Sequence, residues 1–91
     1  MLLDGKVILV TGAGQGLGRG IAQAVSEEGA RVVVTDIRLP EVEETARLVG
    51  SSSGPALPLL LDVTDADTIR QAIDRAVEAF GQLDGWVNNA G

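Results

Sequence analysis

Apolar residues along the chain fall into two kinds of segment, and the two kinds alternate. Lys6 to Val10 (KVILV), Arg31 to Thr35 (RVVVT) and Ala56 to Leu61 (ALPLLL) are short continuous apolar runs bounded by Gly, Pro or Asp. Such runs predict strands buried on both faces, as in a parallel sheet. Gly85 to Asn88 (GWVN) is a weaker fourth. Between these runs the apolar positions recur at helical spacing. Leu17, Ile21 and Val25 predict a first helix that ends at Gly29, a residue suited to the left-handed position just past a helix. Val42, Ala46 and Val49 predict a second, with Pro40 in its first turn and Gly50 at its close. Ile69, Ile73, Ala76, Val77 and Phe80 form the stripe of a third. Thr64 followed by Asp67 resembles a capping box with Asp in place of Glu, and Gly81 stops this helix. Gly50 to Pro55 (GSSSGP) reads as a flexible surface loop.

The resulting order is strand, helix, strand, helix, strand, helix, strand. Strands joined by crossover helices run parallel, and right-handed crossovers place helices on both faces. The fold class is therefore α/β, a doubly wound parallel sheet of four strands and three helices. A sheet of this size has an uncovered edge and flank, so it is read as incomplete.

Composition narrows the chemistry. Ninety-one residues make one domain at most, and surface scaling gives a folded area of roughly 5,000 Å². With no His, Cys or Tyr, the chain holds no Ser/His/Asp triad, thiolate nucleophile, disulfide or zinc site of nitrogen and sulfur ligands. A net charge of −6 argues against nucleic acid and anionic membranes as partners. No apolar run reaches the roughly 18 residues of a membrane span, and Met1 to Lys6 lacks the pattern of a signal peptide, so a cytoplasmic location is expected.

The first strand runs straight into Thr11-Gly12-Ala13-Gly14-Gln15-Gly16-Leu17-Gly18. Backbone N–H groups at a helix N-terminus, unobstructed by Cβ atoms, suit a pyrophosphate, so even an acidic chain can bind an anion there. The literal G-x-G-x-x-G pattern fails, because from Gly12 and Gly14 its third position falls on Leu17; G-x-x-x-G-x-G fits at Gly12, Gly16 and Gly18. A nucleoside-triphosphate loop would need G-K-[ST], and the single lysine, Lys6, precedes the first strand. The bland alternative for the glycines is tight strand-to-helix packing without a ligand.

Asp36 closes the second run, 18 residues after Gly18 and close to the roughly 20 expected for a carboxylate that accepts from an adenosine ribose. The same charge repels a 2′-phosphate, which favours NAD over NADP. Arg19 and Arg38 complicate that preference, since a guanidinium pairs with phosphate. Asp62 falls at the end of the third run, where it can accept from an adenine amino group with Val63 beside it; the alternative is a turn carboxylate. Asn88-Asn89-Ala90-Gly91 falls on the same rim, with amides able to cross-link strand ends.

TGAGQGLG, Asp36, LDVTD (Leu61 to Asp65) and NNAG, in this order and spacing, resemble the N-terminal part of a short-chain dehydrogenase/reductase over all 91 residues. The resemblance implies a Rossmann fold, of which residues 1–91 would be the N-terminal half, and NAD(P)-dependent hydride transfer between an alcohol and a carbonyl by a homo-oligomer. It implies that Gly12, Gln15, Gly16, Leu17 and Gly18 cradle the dinucleotide, and that Asp36 holds the adenosine ribose. It implies that Asp62 and Val63 hold the adenine, that Asn89, Ala90 and Gly91 line the path to the nicotinamide ribose, and that Asn88 braces the sheet. The family's catalytic Ser, Tyr-x-x-x-Lys and assisting Asn lie beyond NNAG, so no catalytic residue is expected here, and a small alcohol or ketone substrate is expected only of a longer chain. Trp86 is read as a core or flank residue. Alternatives are a nucleotide-binding module without chemistry, an S-adenosylmethionine methyltransferase, against which NNAG weighs, and a non-enzymatic interaction module.

Overall fold

Why each run takes its place is plain in the computed structural model, which describes residues 1–50 and 54–89. In chain order the elements are β1 (Val7–Val10), α1 (Gly16–Glu27), β2 (Arg31–Asp36), α2 (Leu39–Val49), β3 (Leu57–Leu60), α3 (Ala66–Phe80) and β4 (Gly85–Val87). The four strands form one parallel sheet in the order β3-β2-β1-β4, with Leu9 in register with Val33 on one side and with Trp86 on the other. The doubly wound α/β reading holds.

Alternation along the strands divides the core. Val7, Leu9, Val33, Leu59 and Leu61 pack against Ala72 and Ala76 of α3. Val10, Val32 and Val34 point the other way, onto Ala22 of α1 and Val42 and Val49 of α2. β2 is buried from Val32 to Asp36 because it has a strand on each side and a helix layer on each face. The solvent-accessible area, 4886 Å², matches the size expected from scaling.

Four expectations need correction. The buried face of α1 is Gly18, Ala22 and Ser26; Ile21 and Val25 flank it and Leu17 is 74% exposed. A helix lying close on a sheet buries its small residues, and large apolar ones fall to the sides of the contact. In α3 the expected stripe holds in part: Ala76 is buried and Ile69 and Phe80 pack against the core, but Ala72 takes a buried place and Ile73 and Val77 are exposed. The N-cap of α3 is Asp65, whose carboxylate accepts from the N–H of Asp67, in place of a box begun by Thr64. β3 is an edge strand and only partly buried, with Leu60 exposed.

Gly81 ends α3 in the left-handed conformation, φ +82°, its N–H bonding the Val77 carbonyl, as expected of a helix stop. Trp86 lies on a flank and is exposed. The Ser51–Ser53 part of the expected loop falls outside the described residues.

Candidate functional site

The carboxyl ends of β1, β2, β3 and β4 share one rim, where an open doubly wound sheet binds its ligands. The first piece of the site is the turn from β1 into α1. Gly12 and Gly16 have φ of +62° and +59°, a conformation that glycine adopts at little cost. Gly18 answers a different need: a Cβ there would stand 1.9 Å from the Gly12 carbonyl oxygen and 2.7 Å from Asn89 Nδ2. Its missing side chain lets α1 close directly on the loop. The first turn of α1 carries no acidic side chain, and its N-cap, Gln15, makes no side-chain capping bond. The helix N-terminus therefore presents the positive end of its dipole without an acidic side chain or a side-chain cap against it.

The strand ends are tied to this loop. Thr11 Oγ1 donates to Asn88 Oδ1 at 3.0 Å and accepts from the Asn89 N–H at 3.0 Å. Asn89 Nδ2 donates to the Gly12 carbonyl at 3.2 Å. Asn88 braces the sheet as expected, and Asn89 holds the back of the glycine turn. Ala90 and Gly91 fall outside the described residues.

Asp36 ends β2 at 7% exposure. Its Oδ2 accepts from the Gly14 N–H at 2.9 Å, and its Oδ1 accepts from the Arg38 N–H at 3.2 Å with Arg38 Nε at 3.6 Å. The Gln15 amide faces Arg38, and with its oxygen on that side it would accept from both terminal guanidinium nitrogens at 3.1 Å. Asp62 is a turn carboxylate: its Oδ1 accepts from Thr64 Oγ1 at 2.6 Å and from the Thr64 N–H at 2.9 Å. These two bonds hold its pKa below the ordinary aspartate value, the hydroxyl contributing most.

Gly12, Asp36, Asp62 and Val63 come together as the walls of a cleft of about 410 Å³. Its walls also include Arg38 and Ile37, the latter 61% exposed and carrying no sequence signal beyond its place after Asp36. Such a volume lies in the range of small-molecule sites, about 300–1,000 Å³. Gln15, Gly16, Leu17, Gly18 and Asn89 lie outside this cleft, along the loop and at its back.

Sequence reasoning missed Gly14, Thr45 and the inward contacts of Arg19. A Cβ at Gly14 would stand 2.7 Å from Asp36 Oδ2, so the second glycine of the discarded G-x-G pattern is required by the acid. Arg19 points back into the protein, where Nε donates to Thr45 Oγ1 at 2.8 Å and Nη2 to the Gly14 carbonyl at 2.7 Å. Among the described residues no group of three or more acidic side chains could hold a metal ion, and no helix is long and apolar enough to cross a membrane.

Comparison with known proteins gives concordant results. The model of a family described as short chain dehydrogenase matches residues 6–91. An uncharacterized oxidoreductase of Mycobacterium tuberculosis is 45% identical over 89 residues, which are 98% of this chain and 36% of the relative. A sorbitol dehydrogenase of Cereibacter sphaeroides is 43% identical over 91 residues, covering 99% of this chain and 34% of that one. The crystal structure of a hydroxysteroid dehydrogenase from Escherichia coli superposes with a TM-score of 0.91 at 36% identity, covering 98% of this chain and 38% of that chain. The chain thus spans little more than a third of these relatives' length.

Proposed function

The chain belongs to the short-chain dehydrogenase family, and from that premise we propose that it is the dinucleotide-binding half of an NAD-dependent oxidoreductase that interconverts an alcohol and a carbonyl. The observation that carries the reading is the cleft, which brings a nearly buried carboxylate, Asp36, together with Gly12, Asp62 and Val63 in its walls. The residues fit the cofactor. Asp36 accepts from the adenosine ribose and opposes a 2′-phosphate; Asp62 and Val63 take the adenine edge and face; Gly12, Gln15, Gly16, Leu17 and Gly18 take the pyrophosphate. Asn89, Ala90 and Gly91 are assigned the nicotinamide ribose. Bound NAD supplies the hydride acceptor or donor.

The proton chemistry belongs to residues that this chain does not contain. It has no Tyr, and Lys6 lies at the opposite end of β1 from the rim. We therefore assign the 91 residues cofactor binding without turnover, with a small alcohol or ketone as substrate of a longer chain. The same reading places the protein in the cytoplasm, on its acidic, cysteine-free composition, and as a homo-oligomer, on the exposed Ile73, Val77 and Trp86. Family membership removes the support for a methyltransferase.

Titration with NAD, with NADP and S-adenosylmethionine as controls, tests this by backbone amide NMR. Saturable shifts at Gly12 to Gly18 and near Asp36 with NAD are expected. A well-dispersed spectrum that no nucleotide perturbs would overturn the proposal.

A further inference from the structure

We propose that Arg19 and Thr45 are positioning residues that set the two central peptide planes of the glycine loop for the cofactor; this rests on the dinucleotide reading above. Both lie outside the cleft. Thr45 is on α2 and fully buried, and its hydroxyl donates to the Ala13 carbonyl at 2.7 Å. That carbonyl belongs to the Ala13–Gly14 peptide, whose N–H is the one held by Asp36 Oδ2 at 2.9 Å. One plane is thus pinned at both ends, its oxygen by α2 and its N–H by β2.

The next plane, Gly14–Gln15, is fixed by Arg19. Its carbonyl accepts from Nη2 at 2.7 Å, while Nε of the same guanidinium donates to Thr45 Oγ1 at 2.8 Å. Nη2 also reaches the Glu41 carbonyl at 3.4 Å. A trans peptide carries its N–H opposite its carbonyl. With the Gly14 oxygen drawn inward to Arg19, the Gln15 N–H is turned outward, at the N-cap of α1 where an anion is received.

The Thr45 hydroxyl accepts from Arg19 and donates to Ala13, so the two planes are coupled through one oxygen and both depend on α2 being docked. The guanidinium works as a two-pronged donor and not as a point charge, which makes lysine a poor substitute.

The test uses Thr45→Val, Thr45→Ser and Arg19→Lys. Two readouts are taken: hydrogen exchange of the Gly14 amide without ligand, and NAD affinity by amide shifts. Thr45→Val and Arg19→Lys are expected to speed Gly14 exchange about tenfold, with Leu9 and Val33 amides unchanged, and to weaken NAD about tenfold, the worth of one lost hydrogen bond. Thr45→Ser restores both readouts. Native affinity in Arg19→Lys would mean that charge alone matters and would overturn the proposal. So would unchanged Gly14 exchange in Thr45→Val, or exchange that speeds equally in the core strands of both variants. If the native chain binds no NAD, the dinucleotide reading fails while the exchange comparison still decides whether the clamp exists.

Discussion

Asp36 Oδ2 accepts from the Gly14 N–H at 2.9 Å, joining the end of β2 to the loop after β1 through a nearly buried carboxylate. The acid is therefore a structural partner of the loop before any ligand arrives. Asp36→Ala leaves a buried N–H without its acceptor, and a loss of about 1–3 kcal/mol is expected. Asp36→Asn keeps an acceptor oxygen at the same place and is expected to cost less. Urea unfolding of the two variants beside the native chain measures both; equal stability of all three would show that the contact contributes nothing.

Gly18 and Gly20 are two residues apart on α1 and are expected to respond with opposite signs. A Cβ at Gly18 meets the Gly12 carbonyl at 1.9 Å, a backbone atom that cannot swing aside, so Gly18→Ala must lift α1 off the loop. A cost of about 1–3 kcal/mol or more follows from overpacking. At Gly20 a Cβ meets nothing within 4 Å, and the helix interior favours Ala, so Gly20→Ala is expected to gain about 0.5–1 kcal/mol. Thermal melts of the pair read the two signs directly.

These contrasts show what the sequence exposes and what it hides. β1 and β2 were legible because a continuous apolar run between Gly and Asp has few competing readings, and Asp36 and the glycine turn were legible from their spacing. The buried faces of α1 and α3 were legible only in part, Ala76, Ile69 and Phe80 of α3 among them. Gly18, Ala22, Ser26 and Ala72 are small and carry little hydrophobic signal, and the large residues Leu17, Ile73 and Val77, which do carry it, face outward. The N-cap of α3 is Asp65, one residue on from Thr64, whose hydroxyl donates to Asp62 in the turn before the helix. The Arg19–Thr45 contact joins positions 26 residues apart, and no local pattern announces it.

Trp86 pairs in register with Leu9, so it points to the face of the sheet that α3 covers, and Ile73 and Val77 of α3 are exposed as well. Large apolar side chains left exposed favour association. A dimer that forms as concentration rises is expected by size exclusion, with a blue shift in the emission of Trp86, the single tryptophan. Val77→Lys is expected to shift the equilibrium toward monomer. A compact monomer at high concentration, with unchanged emission, would exclude association through this face.

Asp84 joins the start of β4 to the start of β1, its Oδ2 accepting from the Val7 N–H at 2.8 Å and from Gln82 Nε2 at 2.6 Å. The Val7 bond first, then Gln82 and the charge of Lys6, hold its pKa below the ordinary value. A carboxyl whose pKa is lower folded than unfolded binds fewer protons in the native state. Its contribution is complete above the unfolded value of about 4 and is lost as pH falls through the depressed folded value. Asp84→Asn keeps an acceptor oxygen but has no charge to lose. The stability gap between the native chain and Asp84→Asn is therefore expected to be constant near neutral pH and to close progressively below about pH 4. Asp62, depressed by Thr64, titrates in the same direction in both proteins and cancels from the comparison. Urea midpoints measured from neutral pH down into this acid range decide it: a gap that stays constant would mean that the Val7 contact stabilises through shape and not through the ionised carboxylate.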